Sequence, residues 1–313
     1  MKVGLIADEF TRVILELEPD VSLVNLTPMD WWFKFQIHSI DFLLVESAWL
    51  GYKEAWKGKI AKYNTQQQSQ SLNKLLAYCK KKGIPTVFWN KEDPLNYERF
   101  QHNLDGFDVC LTTEKDLVGQ YKKQFPNLKH VGVQSFFFQP EIHNPKKDEV
   151  VNGLDDQVLF CGGLYQQEFP ERASRLIAGI NSVGKENVVI FDRFDKRGNG
   201  WNEYSDFDIR KPFSYKDSKK YYQSGVAHFN ANSLDGSETM FSRRLIELLA
   251  CGSKVLDLTH MSGKSVLSPY VYQVSSSHDI KQALEAPALT IDYDHLLEDY
   301  SSTSFIKKLH QFL

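Results

Sequence analysis

The side chains best suited to chemistry gather in residues 230–252, NANSLDGSETMFSRRLIELLACG. An apolar strand pattern ends at Phe229 and Asn230. A polar loop follows, and helical spacing then begins with Arg243, Arg244 and Glu247 in its first turns. A helix N-terminus offers free N–H groups and partial positive charge, which suits phosphate. Guanidinium groups pair well with phosphate oxygens. A carboxylate one turn further on, Glu247, can accept from two ribose hydroxyls. Together these describe a nucleoside diphosphate site. The same three residues, at i, i+3 and i, i+4, also make ordinary helix ion pairs.

Three other segments carry reactive or ligand-approaching residues. In FCGGLYQQEFPER (160–172), Gly162 and Gly163 follow a strand directly, and a backbone without Cβ atoms permits close approach to a ligand or a tight turn. Arg172 could reach a phosphate there, or could sit on the surface after a plain strand-to-helix turn. In TVFWNKEDP (86–94), Glu92 and Asp93 follow a strand, where general bases and acceptor contacts collect in α/β sheets. Asp93-Pro94 also reads as a turn or helix start. In ADEFT (7–11), Asp8 follows the first strand without a GxGxxG fingerprint, which argues against a nicotinamide or flavin cofactor on this part of the chain. No P-loop, HExxH or GxSxG motif occurs. His143 and His228 are isolated and read as core or surface histidines.

These residues need elements to position them. Short β-rich runs at 3–7, 42–46, 86–89, 109–112 and 129–133 alternate with helical stretches. The clearest helix spans 69–82, with Leu72, Leu75, Leu76 and Cys79 at helical spacing and Gly83 as a stop signal. From 138 to 156 prolines, charges and an Asn-Gly pair replace periodicity, as in a linker. A second series follows: strands at 158–161, 188–191, 226–230 and 254–258, helices at 171–180 and 242–250, and a closing helix at 304–313. Alternating strands and helices with apolar strands predict an α/β protein whose parallel sheets are covered on both faces. The expectation is two Rossmann-like parallel-sheet domains, 1–150 and 151–303, facing a central cleft, with residues 304–313 packing back on the first. Ligands then collect outside the C-terminal strand ends.

Composition narrows the class. The chain has 313 residues, 42% hydrophobic and 25% charged, with a net charge of −3. That is enough chain to bury a sizeable core. The balance gives no global attraction to nucleic acid, though lysines at 57–62 and 80–82 could form a local basic patch. The four cysteines are scattered without CxxC pairs, which disfavours a zinc site and fits free thiols in a reducing, cytoplasmic setting. No apolar run is long enough to span a bilayer.

Read together, ADEFT (7–11), VESAWLG (45–51), WNKEDP (89–94), FDVCLTTE (107–114), QPEIHNP (139–145), FCGGLYQQEFPER (160–172) and N-x-NS…S-x-TMFSRRLIELLACG (230–252) resemble the CgeB-like family of GT-B glycosyltransferases. The resemblance implies a GT-B fold and transfer of a hexose-like sugar to a hydroxyl, retaining and without a metal. It implies no permanently bound cofactor and a nucleotide-diphosphate sugar as donor, a UDP-sugar first. Donor contacts are then expected from Gly162, Gly163, Arg172, Ser214, Tyr215, Thr239, Met240, Phe241, Ser242, Arg243, Arg244 and Glu247. Arg244 stabilises the leaving diphosphate, and Asp8, Glu92 or Asp93 is the base if the reaction inverts. Retaining GT-B enzymes of the related large class often carry two glutamates with seven residues between them. Glu247 matches the second, but Thr239 occupies the first position and Glu238 lies one residue out of register. The acceptor stays open among glycan, cell-wall polymer, protein and modified DNA base. An NDP-sugar epimerase, a phage-type DNA-base glycosyltransferase and a degenerate sugar-nucleotide or glycan-binding protein are the rival expectations.

Overall fold

The computed structural model describes residues 1–62, 64–65, 67–148, 150–195 and 200–312. These divide into two units, residues 1–139 with 300–313, and residues 140–299.

In the first unit the apolar runs become β1 (Lys2–Ile6), β2 (Ser22–Asn25), β3 (Phe42–Glu46), β4 (Thr86–Asn90), β5 (Val109–Thr112) and β6 (His130–Val133). They form one parallel sheet in the order β2-β1-β3-β4-β5-β6. Every residue of β3 and β4 is buried, so both faces are covered, which is why these strands read as unbroken apolar runs. The crossovers carry α1 (Glu9–Glu16), α2 (Trp31–Ile37), α3 (Gln70–Lys82), α4 (Tyr97–Phe100) and α5 (Val118–Gln124). Ser69 caps α3 by accepting from Leu72 N at 3.2 Å, and Gly83 ends it at φ +67°, a left-handed turn that glycine takes without strain. Leu72, Leu75, Leu76 and Cys79 face the core, as their spacing predicts.

The second unit has β7 (Val158–Cys161), β8 (Val188–Phe191), β9 (Asp208–Arg210), β10 (Ala227–Asn230), β11 (Val255–Asp257) and β12 (Tyr272–Gln273). The sheet is again parallel, in the order β12-β11-β10-β7-β8-β9. Its helices are α6 (Pro170–Val183), α7 (Ser218–Tyr222), α8 (Arg243–Ala250), α9 (Ser277–Glu285) and α10 (Tyr293–Tyr300). The chain then returns to the first unit as α11 (Ser302–His310). There the Phe305 ring stacks on Phe137 at 4.5 Å, Ser302 and Thr303 donate to the Glu18 carboxylate, and Lys308 donates to Gln134 at 2.9 Å.

Strand order changes direction once in each sheet, between β1 and β3 and between β7 and β10. At such switch points the two following loops diverge and leave a crevice at the C-terminal strand ends. Among the described residues no helix is long and apolar enough to cross a membrane.

Candidate functional site

The switch point of the second sheet gathers most of the residues singled out by sequence. β7 leads into Gly162 and Gly163, β10 into Ala231 and Asn232, and α8 begins beside them. Ser242 caps α8: its Oγ accepts from Leu245 N at 3.2 Å and donates to Asn230 Oδ1 at 2.9 Å. That fixes the helix N-terminus, with its partial positive charge, against the end of β10. Asn232 Oδ1 accepts from Ser242 N at 2.9 Å, and the Asn230 amide donates to Asp257 Oδ1 at 2.7 Å and to Asn232 Oδ1 at 3.2 Å. The loop before α8 is shaped by Ser237, whose Oγ accepts from Thr239 N and Met240 N at 3.2 and 2.8 Å. Thr239, Met240 and Arg243 are half-buried, whereas Phe241 lies in the core.

Arg244 is held on three sides. It donates to Cys161 O at 2.6 Å and to Asn230 Oδ1 at 3.2 Å, and its guanidinium lies 4.6 Å from the centre of the Phe160 ring. Its buried Nε has no protein partner. A Cβ on Gly162 would stand 2.5 Å from Arg244 Nη1, so this position must be glycine for the guanidinium to lie along the strand end. A Cβ on Gly163 would meet Phe194 at 2.8 Å.

Arg172 is almost fully buried and is committed to backbone. It donates to Ala231 O at 2.8 Å, Leu164 O at 2.8 Å and Gly163 O at 3.2 Å. It therefore ties the loop after β7 to the loop after β10. Burial, and then the nearby Arg244 charge, lower its pKa to about 9, so it remains a cation at neutral pH.

Glu247, one turn into α8, accepts from Tyr215 OH at 2.6 Å and Tyr222 OH at 3.2 Å. Burial raises its pKa to about 7 against the opposing pull of Arg243, the two tyrosines and Arg244. His143 stacks on Tyr222 at 5.8 Å, meets Tyr215 edge-on at 5.4 Å, and bonds Ser218 Oγ at 2.8 Å through Nε2. Burial, Arg243 and Lys219 lower its pKa to about 3, so it is a neutral core histidine. His228 is likewise buried and lowered to about 4. Ser214 is exposed at the start of the turn that carries Tyr215.

The first unit holds a different cluster at its own switch point. Asp8, at the end of β1, accepts from the N–H groups of Trp49, Leu50 and Gly51 at 2.8–2.9 Å. Lys91 Nζ lies 3.2 Å from Asp8, 3.2 Å from Glu46 and 4.0 Å from Glu92. Burial alone raises the Asp8 pKa, but Lys91 and the three N–H donors outweigh it, and the net direction is down. Asp93 lies apart from this cluster. It is wholly enclosed and accepts from Thr112 Oγ1 at 2.6 Å, Asn90 Nδ2 at 2.7 Å and Tyr121 OH at 2.8 Å, and burial raises its pKa to about 7. Glu92 is partly exposed and accepts from Asn96 at 3.1 Å.

Asn230, Asn232, Asp257, Tyr222, Glu46 and Lys91 complete the two clusters without having been singled out as candidate site residues, although Asn230, Asn232, Glu46 and Lys91 lie inside the motif segments. Four of them did leave a signal. Glu46 and Asp257 each end an otherwise apolar strand, Asn230 ends a buried strand that also holds His228, and Lys91 directly follows a buried strand, where side chains reach the ligand edge of a parallel sheet.

No protein-family model matches the chain, and no curated protein sequence matches it. Solved structures do. An alpha-glucosyltransferase in complex with UDP and a 13-mer DNA aligns at TM-score 0.56 and 11% identity, over 99% of this chain and 98% of that one. T4 phage BGT in complex with UDP-glucose aligns at 0.54 and 12%, over 99% of each chain. The UDP-GlcNAc 2-epimerase of Methanocaldococcus jannaschii aligns at 0.53 and 10%, over 99% and 100%. At such identities the likeness is one of fold, and with two parallel six-stranded sheets the chain has the GT-B fold, that of glycosyltransferases and their epimerase relatives.

Proposed function

We propose that this protein is a glycosyltransferase that takes a sugar from a nucleoside diphosphate sugar, a UDP-sugar in the first instance, and transfers it to a hydroxyl acceptor. One observation carries the reading. Three guanidinium groups, Arg172, Arg243 and Arg244, gather around the N-terminus of α8 at the β7–β10 switch point. The carboxylates among them, Glu247 and Asp257, are both raised to about 7 by burial and offset that charge only in part. The surplus suits a diphosphate. The neighbours in complex with UDP or UDP-glucose support the same donor class. The motif resemblance to the CgeB-like family supports it separately, and membership is proposed on those motifs alone.

In this mechanism the bond between the anomeric carbon and the diphosphate oxygen breaks. The charge that develops on the leaving phosphate meets Arg244 and the first N–H groups of α8, which are already oriented and need no reorganisation. Arg243 and Arg244 supply this neutralisation without a metal, and Arg172 holds the loops beside them. The acceptor hydroxyl must lose a proton. Asp93 is sealed in the core, and Asp8 is saturated by four donors with its pKa held down, so both make poor bases. That favours retention, in which the leaving phosphate takes the proton. Glu92 is the base in the inverting alternative.

The test is turnover of UDP-sugars by Arg244→Ala. Losing one preorganised donor to the leaving group is expected to lower kcat by about a hundredfold. Near-normal turnover refutes the assignment. Products formed without acceptor separate transfer from epimerisation, and nucleotide binding with no turnover at all identifies a binding protein.

A further inference from the structure

Among the described residues, the four most exposed large apolar side chains lie within nine positions. Met29 is 97% exposed, Phe33 59%, Trp32 58% and Ile37 56%. Scattered apolar residues on a surface mean little, but a contiguous set of this size marks a contact surface. The set lies on the outer face of α2 and the turn before it. The opposite face of α2 is anchored: Trp31 and Phe35 are buried and meet the Tyr78 ring of α3 edge-on at 5.6 and 5.3 Å, while Gln36 donates to Tyr78 OH at 3.1 Å. The exposed face is therefore held in place by the core.

The charge that α3 sets beside this face is of one sign. Lys74, Lys81 and Lys82 lie one turn to either side of Tyr78 on α3, and all three are exposed. No acidic residue occurs on α3. On α2, Lys34 is paired with Asp30 at 2.7 Å, which neutralises the nearest carboxylate. Aromatic and aliphatic side chains bordered by lysines complement an anionic bilayer surface, where rings settle at headgroup depth and ammonium groups reach lipid phosphates. Nucleic acid would match the lysines but leave Met29 and Ile37 without a role. A second copy would set one lysine row against another.

We propose that residues 29–37 together with Lys74, Lys81 and Lys82 dock this protein on an anionic lipid surface. The surface belongs to the first unit, and the inference does not depend on the donor site of the second. The test is sedimentation of the full chain with vesicles of phosphatidylcholine alone or mixed with phosphatidylglycerol, at low and high salt. Binding to the mixed vesicles is expected, weakening with salt. The double variant Trp32→Ser, Phe33→Ser is expected to bind about tenfold less or weaker, and each lysine changed to serine to cost about fivefold. These side chains are exposed, so an unchanged Tm should confirm that the variants fold. The proposal is overturned if mixed vesicles retain no protein, or if the variants bind as well as the parent. It is also overturned if the chain is a dimer that Trp32→Ser, Phe33→Ser splits, or if that variant abolishes binding to duplex DNA instead.

Discussion

At the scale of single residues, charge and burial separate side chains that look alike in the sequence. Arg172 and Arg244 are both arginines beside a strand end, yet Arg172 donates to three backbone carbonyls while the Nε of Arg244 has no protein partner. Arg172 thus acts on the site by positioning two loops. Lysine there keeps the charge but cannot donate in three fixed directions. Arg172→Lys is therefore expected to cost about 2–4 kcal/mol, from buried carbonyls left without donors, and a denaturant titration measures it. Glu247 makes a second prediction. Its folded pKa is about 7, above its ordinary 4.5, so the folded state favours the protonated carboxyl. Raising the pH from about 4.5 to about 7 must then remove stability that a permanently neutral side chain retains. Glu247→Gln is expected to gain on the parent by on the order of 2–3 kcal/mol between pH 5 and pH 8. A stability difference that does not change with pH would show that this carboxyl is not desolvated.

At the scale of elements, the end of β7 and the start of α8 form one device. Arg244 reaches Cys161 O only because Gly162 has no side chain. Gly162→Ala is expected to displace the guanidinium and weaken UDP binding by about tenfold or more, with a stability loss of no more than about 1–2 kcal/mol. Calorimetric titration with UDP reads the first, and thermal unfolding the second. Unaltered affinity would place the diphosphate elsewhere. This device was half legible in the sequence. Paired glycines, the Ser242 cap and the arginine pair are local signals, and the long apolar strands β1, β3, β4, β7 and β8 announce themselves. The strands β2, β9 and β12 do not. Each lies at the edge of its sheet, is two to four residues long and has mostly half-buried or exposed residues, so neither alternation nor an apolar run marks it. The partners of the site residues are hidden for another reason. Tyr215 and Tyr222 reach Glu247 across 32 and 25 residues, and Lys91 reaches Asp8 across 83. Such pairings follow from strand order, which spacing along the chain does not encode.

At the scale of the whole molecule, the last fourteen residues belong to the unit that the chain left 160 residues earlier. Each unit has its own apolar core: one is built around Trp56, Phe88 and Phe100, the other around Phe160, Trp201 and Phe229. α11 adds buried Phe305, Ile306 and Leu309 to the first unit and supplies the hydroxyl partners of buried Glu18. Removing residues 300–313 takes away three large apolar side chains at roughly 1.5–3 kcal/mol each and strips hydroxyl donors from a buried carboxylate. That loss is comparable to the whole stability of a typical domain. The truncated chain is therefore expected to lose hydrogen-exchange protection in β1–β6 while β7–β12 stay protected. The second unit still contains Arg172, Arg243, Arg244 and Glu247, so UDP at about 100 times its Kd should still stabilise it by about 2.7 kcal/mol. If protection collapses in both sheets at once, the units do not fold independently. If it persists in both, α11 is not needed to close the first core. Only loss confined to the first sheet, with the UDP response intact in the second, matches two cores and a donor site contained in one of them.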